Sequence, residues 1–254
     1  MNFRFHSPLT MFLFFIVCLF GSSTYAQDKL IKNVVLVHGA FVDGSGWQAV
    51  YQLLTEQGYN VLVTQHKLRD FDEDVAEVNR IIDQLDGLCI LVGHSYGGVV
   101  ITQAGNNPKV AGLVYIAAHA PDKGELRADL VKQYPSAYKS IIEGIDGLDY
   151  IDPEKFLADF AADLPIDQAK FMANSQVPTA DRVFQAIVRN PAWKNKPSWY
   201  MVAKSDCIIN PDLERFYARR AKSTTVEIEG GSHSVYISQA KKVVELILMA
   251  TRGQ

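Results

Sequence analysis

A serine hydroxyl becomes a nucleophile only when a base takes its proton, so a reactive serine needs a histidine in reach and a group to orient that histidine. Gly93, His94, Ser95, Tyr96 and Gly97 spell G-x-S-x-G directly after the apolar run LCILV and just before the helix-like VVITQAGNN. Glycines on both sides let a serine occupy a sharp, strained turn between strand and helix, where larger side chains would collide with their neighbours. Only His119 and His233 follow Ser95 in the chain. His119 ends a strand-like run, too early to come after a separate acid-bearing loop. His233 lies in GGSHS, between the last strand-like run and the final helix, and is the candidate base. Asp206, in KSDCIINP after the run SWYMVA, is the candidate acid; Asp122 is the alternative position, where a solvated turn is the ordinary role. Such a set performs acyl transfer, which also requires two N–H donors for the oxyanion that forms as the carbonyl becomes tetrahedral. Those donors fall to Tyr96, the residue after the serine, and to Ala40 in the His38-Gly39-Ala40 stretch that follows VVLV; His38 itself reads as a loop buttress.

Positioning these residues requires a scaffold, and the pattern around them supplies one. Short runs rich in β-branched residues at 33–38, 60–65, 88–93, 110–117, 198–203 and 224–229 alternate with amphipathic stretches near 45–57, 72–85, 95–106, 211–220 and 238–252. Most of the runs are apolar throughout rather than alternating, which predicts strands covered on both faces and hence a mainly parallel sheet built from βαβ units. The interval from Asp122 to Pro197 breaks the rhythm: it holds helical patterns such as PEKFLADFAADL and DQAKFMANSQ and no convincing strand, so it reads as a helical insertion packed over the sheet.

Composition narrows the function classes. The 254 residues carry 25 Lys and Arg against 28 Asp and Glu, a net charge of −3, and so no cationic field for nucleic acid. Three cysteines are too few for a disulfide scaffold, and no C-x-x-C or H-E-x-x-H spacing offers a metal its ligands. The letters Gly44-Ser45-Gly46-Trp47-Gln48-Ala49 satisfy G-x-G-x-x-A. However, they start six residues past His38, Trp47 would crowd a pyrophosphate, and no acid ends the second run to hold a ribose. No cofactor is expected.

The N-terminus has its own logic. Ten apolar residues from Met11 to Phe20 follow a segment with one Arg and no acid, and GSSTYAQ comes next. That is the layout of a signal peptide, too short to remain as a membrane span of about 20 residues, with cleavage expected after Ala26. Residues 1–26 are thus expected to be lost on export to the periplasm or beyond, which takes the net charge from −3 to −4 and leaves residues 27–254 as one domain with no stable membrane span. Of the two cysteines left, Cys89 sits in an apolar run and reads as a small buried hydrophobe; a bond to Cys207 is not forced.

With HGA after the first strand, GHSYGG at the turn, SD after a late strand and GSH in the last loop, the chain resembles the α/β-hydrolase superfamily along nearly its whole mature length. VLVHGAFVDGSGW and VGHSYGG are similar to its small esterase group, which includes plant methylesterases and hydroxynitrile lyases, and to related bacterial esterases. The resemblance implies an α/β-hydrolase fold with a six-stranded parallel sheet, helices on both faces and a helical cap from Pro121 to Pro197. Lyase members usually carry Thr where this chain has Gly39 and Lys where it has Ser234, so both positions favour the esterase. The implied activity is hydrolysis of small to medium, apolar carboxylic esters through an acyl-enzyme on Ser95. A cofactor-free perhydrolase or haloperoxidase with the same triad, or a small-ligand receptor on the same fold, are the alternatives. Phe160, Phe171, Met172 and Trp193 in the cap are candidates for either core or pocket, and the cap's acidic residues are expected to disfavour strongly anionic substrates.

Overall fold

The computed structural model describes residues 1–3, 30–138, 140–144 and 146–253. The apolar run Met11–Phe20 and the expected cleavage point after Ala26 lie outside the described residues. Six strands form one parallel sheet: β1 (Asn33–Val37), β2 (Asn60–Val63), β3 (Cys89–Ser95), β4 (Val110–Ala118), and, after the insertion, β8 (Ser198–Ala203) and β9 (Thr224–Ile228). Their spatial order is β2-β1-β3-β4-β8-β9, and every neighbouring pair runs parallel.

Alternation along each strand divides the core into two layers. Val34 and Leu36 face a cluster with Ile90, Val114 and Met201, covered by α1 (Gln48–Thr55) and α9 (Ala240–Arg252) through Val50, Leu54, Val243 and Ile247. Val35 and Val37 face the other way, joining Leu91, Tyr115 and Tyr200 under α2 (Phe71–Asp83), α3 (Tyr96–Ala104) and α7 (Pro211–Arg220). Both faces are dry, which is why these runs look apolar throughout; each fully buried Val or Leu contributes ~1.5–3 kcal/mol. The helix ends follow local chemistry. Asp70 caps α2 by accepting from the N–H groups of Asp72 and Glu73, and Gly253 ends α9 in the left-handed conformation that its missing Cβ permits. The segment expected to be helical from residue 45 begins as a 3₁₀ turn, Gly44–Trp47, in which Gly46 packs under the ring of Tyr236.

The insertion between β4 and β8 departs from the all-helical expectation. It carries α4 (Arg127–Gln133), α5 (Pro153–Asp159) and α6 (Ile166–Asn174), but also a small antiparallel sheet of β5 (Ile141–Ile142), β6 (Leu148–Ile151) and β7 (Thr179–Ala180). A turn closed by the Gly147 N–H on the Gly144 carbonyl joins β5 to β6, with Gly147 at φ 74°, a value that favours glycine. A bridge between Phe41 and Val177 ties this cap to the loop after β1. The remaining short helix, α8 (Val235–Ser238), leads into α9. Among the described residues no helix is long and apolar enough to cross a membrane.

Candidate active site

Strand order reverses between β1 and β3, and in open parallel sheets the crevice at the carboxyl ends of such strands is where ligands bind. Ser95 sits there, at the end of β3, with φ 53° and ψ −120°, a conformation that a side-chain-bearing residue adopts only under constraint. The constraint is visible in its neighbours. A Cβ on Gly93 would lie 2.6 Å from the Gly97 carbonyl oxygen, and one on Gly97 would lie 2.6 Å from the oxygens of Val37 and His38. The Ser95 carbonyl accepts from the His119 N–H at 3.2 Å, which fixes the turn against β4.

The loop after β9 brings His233 over the same crevice. Its Nδ1 donates to Asp206 Oδ2 at 2.6 Å, and both side chains are fully buried. The other carboxylate oxygen, Oδ1, accepts from the N–H groups of Ile208 at 2.7 Å and Ile209 at 2.9 Å, so the carboxylate cannot rotate without losing three bonds. A carboxylate facing Nδ1 selects the tautomer with a proton there, leaving Nε2 as an acceptor; Nε2 has no hydrogen-bond partner among the described residues. Asp122 is elsewhere, half-buried and paired with Lys194, so His233 meets Asp206 and not the alternative acid. Ser95, His233, Ala40 and Tyr96 line one cavity. The Ala40 N–H makes no hydrogen bond among the described residues. Tyr96 opens α3, where the first N–H groups have no intrahelical acceptor. Phe41, Val99, Ile141, Phe160, Val183 and Phe184 supply apolar walls.

Residues 34–246 match the model of the alpha/beta hydrolase family. The chain belongs to that family. Among its relatives, a carbendazim hydrolyzing esterase from Nocardioides sp. (strain SG-4G) is 37% identical over 121 residues, 41% of this chain and 50% of the relative. A pyrethroid hydrolase from Sphingobium wenxiniae is 35% identical over 101 residues, 35% of this chain and 36% of the relative. The chain thus spans half or less of the length of these two relatives. Methylesterase 8 from Arabidopsis thaliana is 20% identical across 87% of this chain and 89% of its own length. Among solved structures, polyneuridine aldehyde esterase superposes with a TM-score of 0.73 at 16% identity, covering 86% of this chain and 98% of that one. A pyrethroid hydrolase from Sphingobium faniae JZ-2 superposes at 0.75 and 23% identity, covering 87% and 97%; both show the shared fold.

Several residues around the hydrolase crevice escaped the sequence reading. His94, the variable residue before Ser95, donates from Nε2 to the His233 carbonyl at 2.9 Å and lies between the rings of His233 and Tyr236. Burial, then the neighbouring His233 imidazole, hold it well below the ordinary histidine range, so it is neutral. Tyr96 donates its hydroxyl to Asp74 at 3.0 Å, and Asp74 also accepts from the Leu68 N–H; burial pushes this carboxyl up to about 6. The His233 loop is fastened to the cap: Ser234 N–H and Oγ both donate to the Phe160 carbonyl, while Asp163 accepts from Ser232 N–H and Oγ and from Ser238 Oγ. No residue pattern near the motif signals these contacts, because each partner arrives from a distant part of the chain.

Of the cap residues singled out as core or pocket, Phe160 lines the cavity and meets the His233 ring edge-on, with centroids 4.7 Å apart. Trp193 is core, its Nε1 donating to the Pro121 carbonyl. Phe171 and Met172 face a separate open groove with Asp43 and Gln168. His38 buttresses as expected, stacked on His66 with ring centroids 3.7 Å apart. Cys89 and Cys207 are unpaired; the first is buried in β3, and burial pushes its thiol up to about 12. Among the described residues no cluster of three His, Cys, Asp or Glu side chains could hold a metal.

Proposed function

We propose that this alpha/beta hydrolase cleaves carboxylic esters of small to medium, largely apolar molecules through an acyl-enzyme on Ser95. The observation that carries the reading is the buried Asp206–His233 pair, whose unpartnered Nε2 belongs to the same cavity as Ser95 and the Ala40 and Tyr96 backbone. Ser95 Oγ attacks the ester carbonyl as its proton passes to His233 Nε2. The imidazolium so formed is stabilised by Asp206, and the oxyanion is received by the N–H groups of Ala40 and Tyr96. Collapse of the tetrahedral intermediate breaks the C–O bond, and the proton on Nε2 goes to the departing alkoxide. Water then adds to the acyl-enzyme by the same route, releasing the acid and restoring Ser95. Relatives named as a carbendazim hydrolyzing esterase, a pyrethroid hydrolase and a methylesterase support ester cleavage as the reaction class.

Gly39 supports the esterase branch over the lyase. A Cβ at this position would lie 2.8 Å from the Ser95 Cβ, so the threonine typical of lyases has no room beside this serine. The test is turnover of p-nitrophenyl esters of graded chain length, with and without chelator, by the wild type and Ser95→Ala. Removing Oγ takes away the nucleophile and leaves the glycine-shaped turn, so a loss on the order of a million-fold with an unchanged melting temperature is expected. Turnover that needs added metal, or survives in Ser95→Ala, overturns the proposal. The layout of residues 1–26 supports export with cleavage after Ala26, and hence action outside the cytoplasm.

A further inference from the structure

One charge in the catalytic cavity has no counterpart. Arg127, the first residue of α4, lines the cavity with Ser95 and His233, yet it forms no ion pair and no hydrogen bond among the described residues. Its Nε is buried and unpartnered, and its guanidinium lies over the face of Phe184, itself a wall residue, 4.9 Å from the ring centre. The nearby acid, Glu125, also lines the cavity but is fully engaged by Arg220, whose two terminal nitrogens donate to its oxygens at 2.7 and 2.8 Å. His119, a further polar wall residue, shares a 3.3 Å contact with the Tyr217 hydroxyl and is kept neutral by burial and by the Arg127 charge. Among the described residues that line the cavity, none offers Arg127 a free counter-charge.

Arg127 is half-exposed, with only its Nε buried, so its two terminal nitrogens are free to meet a ligand in the cavity, and the planar fork of donors matches a carboxylate. We infer that the substrate of Ser95 is a monoanion, an ester with an apolar body and a carboxylate remote from the scissile bond, and that Arg127 receives the carboxylate. This rests on the esterase reading and names its substrate class. It also reverses the expectation drawn from the cap's acidic composition, because the charge facing the cavity is not the average charge of the cap.

Two pairs of isosteric esters test it, across a series of spacer lengths. On the acyl side p-nitrophenyl hydrogen adipate is set against p-nitrophenyl 6-methylheptanoate, and on the alcohol side 6-hexanoyloxyhexanoate against 6-methylheptyl hexanoate, followed by pH-stat. In at least one arm the monoanion is expected to exceed its neutral isostere in kcat/KM by on the order of ten- to a hundredfold, mainly through KM, as suits a charged hydrogen-bonded pair. Arg127→Gln should collapse that ratio towards one and Arg127→Lys should keep part of it. Arg189→Gln, at an exposed pair with Asp72, should keep all of it. Calorimetry of adipic acid monoethyl ester with Ser95→Ala, alone and combined with Arg127→Gln, reads binding without turnover. Neutral isosteres equal to the monoanions in both arms, or a preference that survives Arg127→Gln, overturns the inference. If no ester is turned over, the esterase reading fails: binding to Ser95→Ala that depends on Arg127 then still upholds the anion site, and its absence refutes it.

Discussion

Replacing Asp206 by Asn changes one atom, and the structure says why the protein cannot absorb the change. In the native arrangement Oδ1 accepts from two backbone N–H groups, of Ile208 and Ile209, and Oδ2 accepts from His233 Nδ1 at 2.6 Å. An Asn side chain can keep its oxygen on the two N–H groups, which turns its NH₂ towards Nδ1. The imidazole must then accept at Nδ1 and carry its proton on Nε2, where it can no longer take one from Ser95. The flipped amide restores the tautomer but sets an NH₂ against two N–H donors, leaving both unsatisfied in a buried loop at a cost of about 1–3 kcal/mol each. Neither rotamer is productive. The expected loss in kcat is on the order of ten-thousand-fold, the size of the tautomer effect in the serine-protease example, equivalent to about 5 kcal/mol of transition-state stabilisation. KM should move little, since the side chain does not line the cavity. The assay is p-nitrophenyl ester turnover under saturating and limiting substrate, with thermal melting alongside to verify the fold. Asp122→Asn, which removes a half-exposed charge pair with Lys194 and touches neither Ser95 nor His233, is the control and should stay within a few-fold of wild type. An Asp206→Asn enzyme retaining a tenth of normal kcat, or an Asp122→Asn enzyme that is the more damaged, would refute the orientation argument.

Gly39→Thr should fold but lose at least about a hundredfold in kcat, because a Cβ there would lie 2.8 Å from the Ser95 Cβ and must displace it from attack geometry; near-normal kinetics with a normal melting temperature would contradict this. Acid should destabilise the fold through buried histidines. His38 is held down to about 4, and His66, His94 and His119 well below the ordinary 6.5, all chiefly by burial. The unfolded chain binds these protons first, so their stability contribution is full above pH 6.5 and lost as pH falls towards 4, about 3 kcal/mol for His38 alone. Asp74, pushed up to about 6 by burial, and Glu214, held well above the ordinary carboxylate range by burial and then by Asp206, act in the opposite sense over much of that window and offset about two of the four histidines. Denaturant melts at pH 7 and pH 5 should therefore show lower stability at pH 5, an ordering that His38→Asn should weaken. N-terminal sequencing of protein from the host envelope should begin at Gln27, and a retained Met1 would exclude the expected processing.

What could be read from the residues alone follows from the range over which each signal acts. The main sheet was legible because its strands are apolar on both faces, so runs such as VVLV and LCILV stand out against the amphipathic helices between them. The turn at Ser95 was legible because Gly93 and Gly97 are local steric necessities. The small cap sheet was not: β5 and β7 are two residues long, too short for any period, and β7 joins β6 from well along the chain. The supporting roles of His94 and Asp74 depend on contacts across the fold, from residue 94 to residue 233 and from residue 96 to residue 74. Arg127 is the sharpest case. Its isolation exists because Glu125, two residues earlier, is taken by Arg220 from a different layer, and no count of charges foretells which cation an acid will choose.

The five hydrogen bonds between the cap segment Phe160–Asp163 and the Ser232–Ser238 loop make that part of the cap a support for the loop rather than a cover over the cavity. The cap is tied at its other side as well: between α4 and β5 the Ala137 and Tyr138 N–H groups donate to the Cys207 carbonyl and Ser136 Oγ donates to the Ile208 carbonyl, so a cap that swung open as one piece would pull on the loops of both Asp206 and His233. The insertion is therefore divided in its freedom to change. Under the proposed function the first segment, α4 and the β5–β6 turn, can be exchanged to redirect specificity, while the second, residues 135–138 with residues 160–163, holds the Asp206 and His233 loops in place. Grafting a relative's specificity onto this scaffold should begin with the first segment and leave the second untouched.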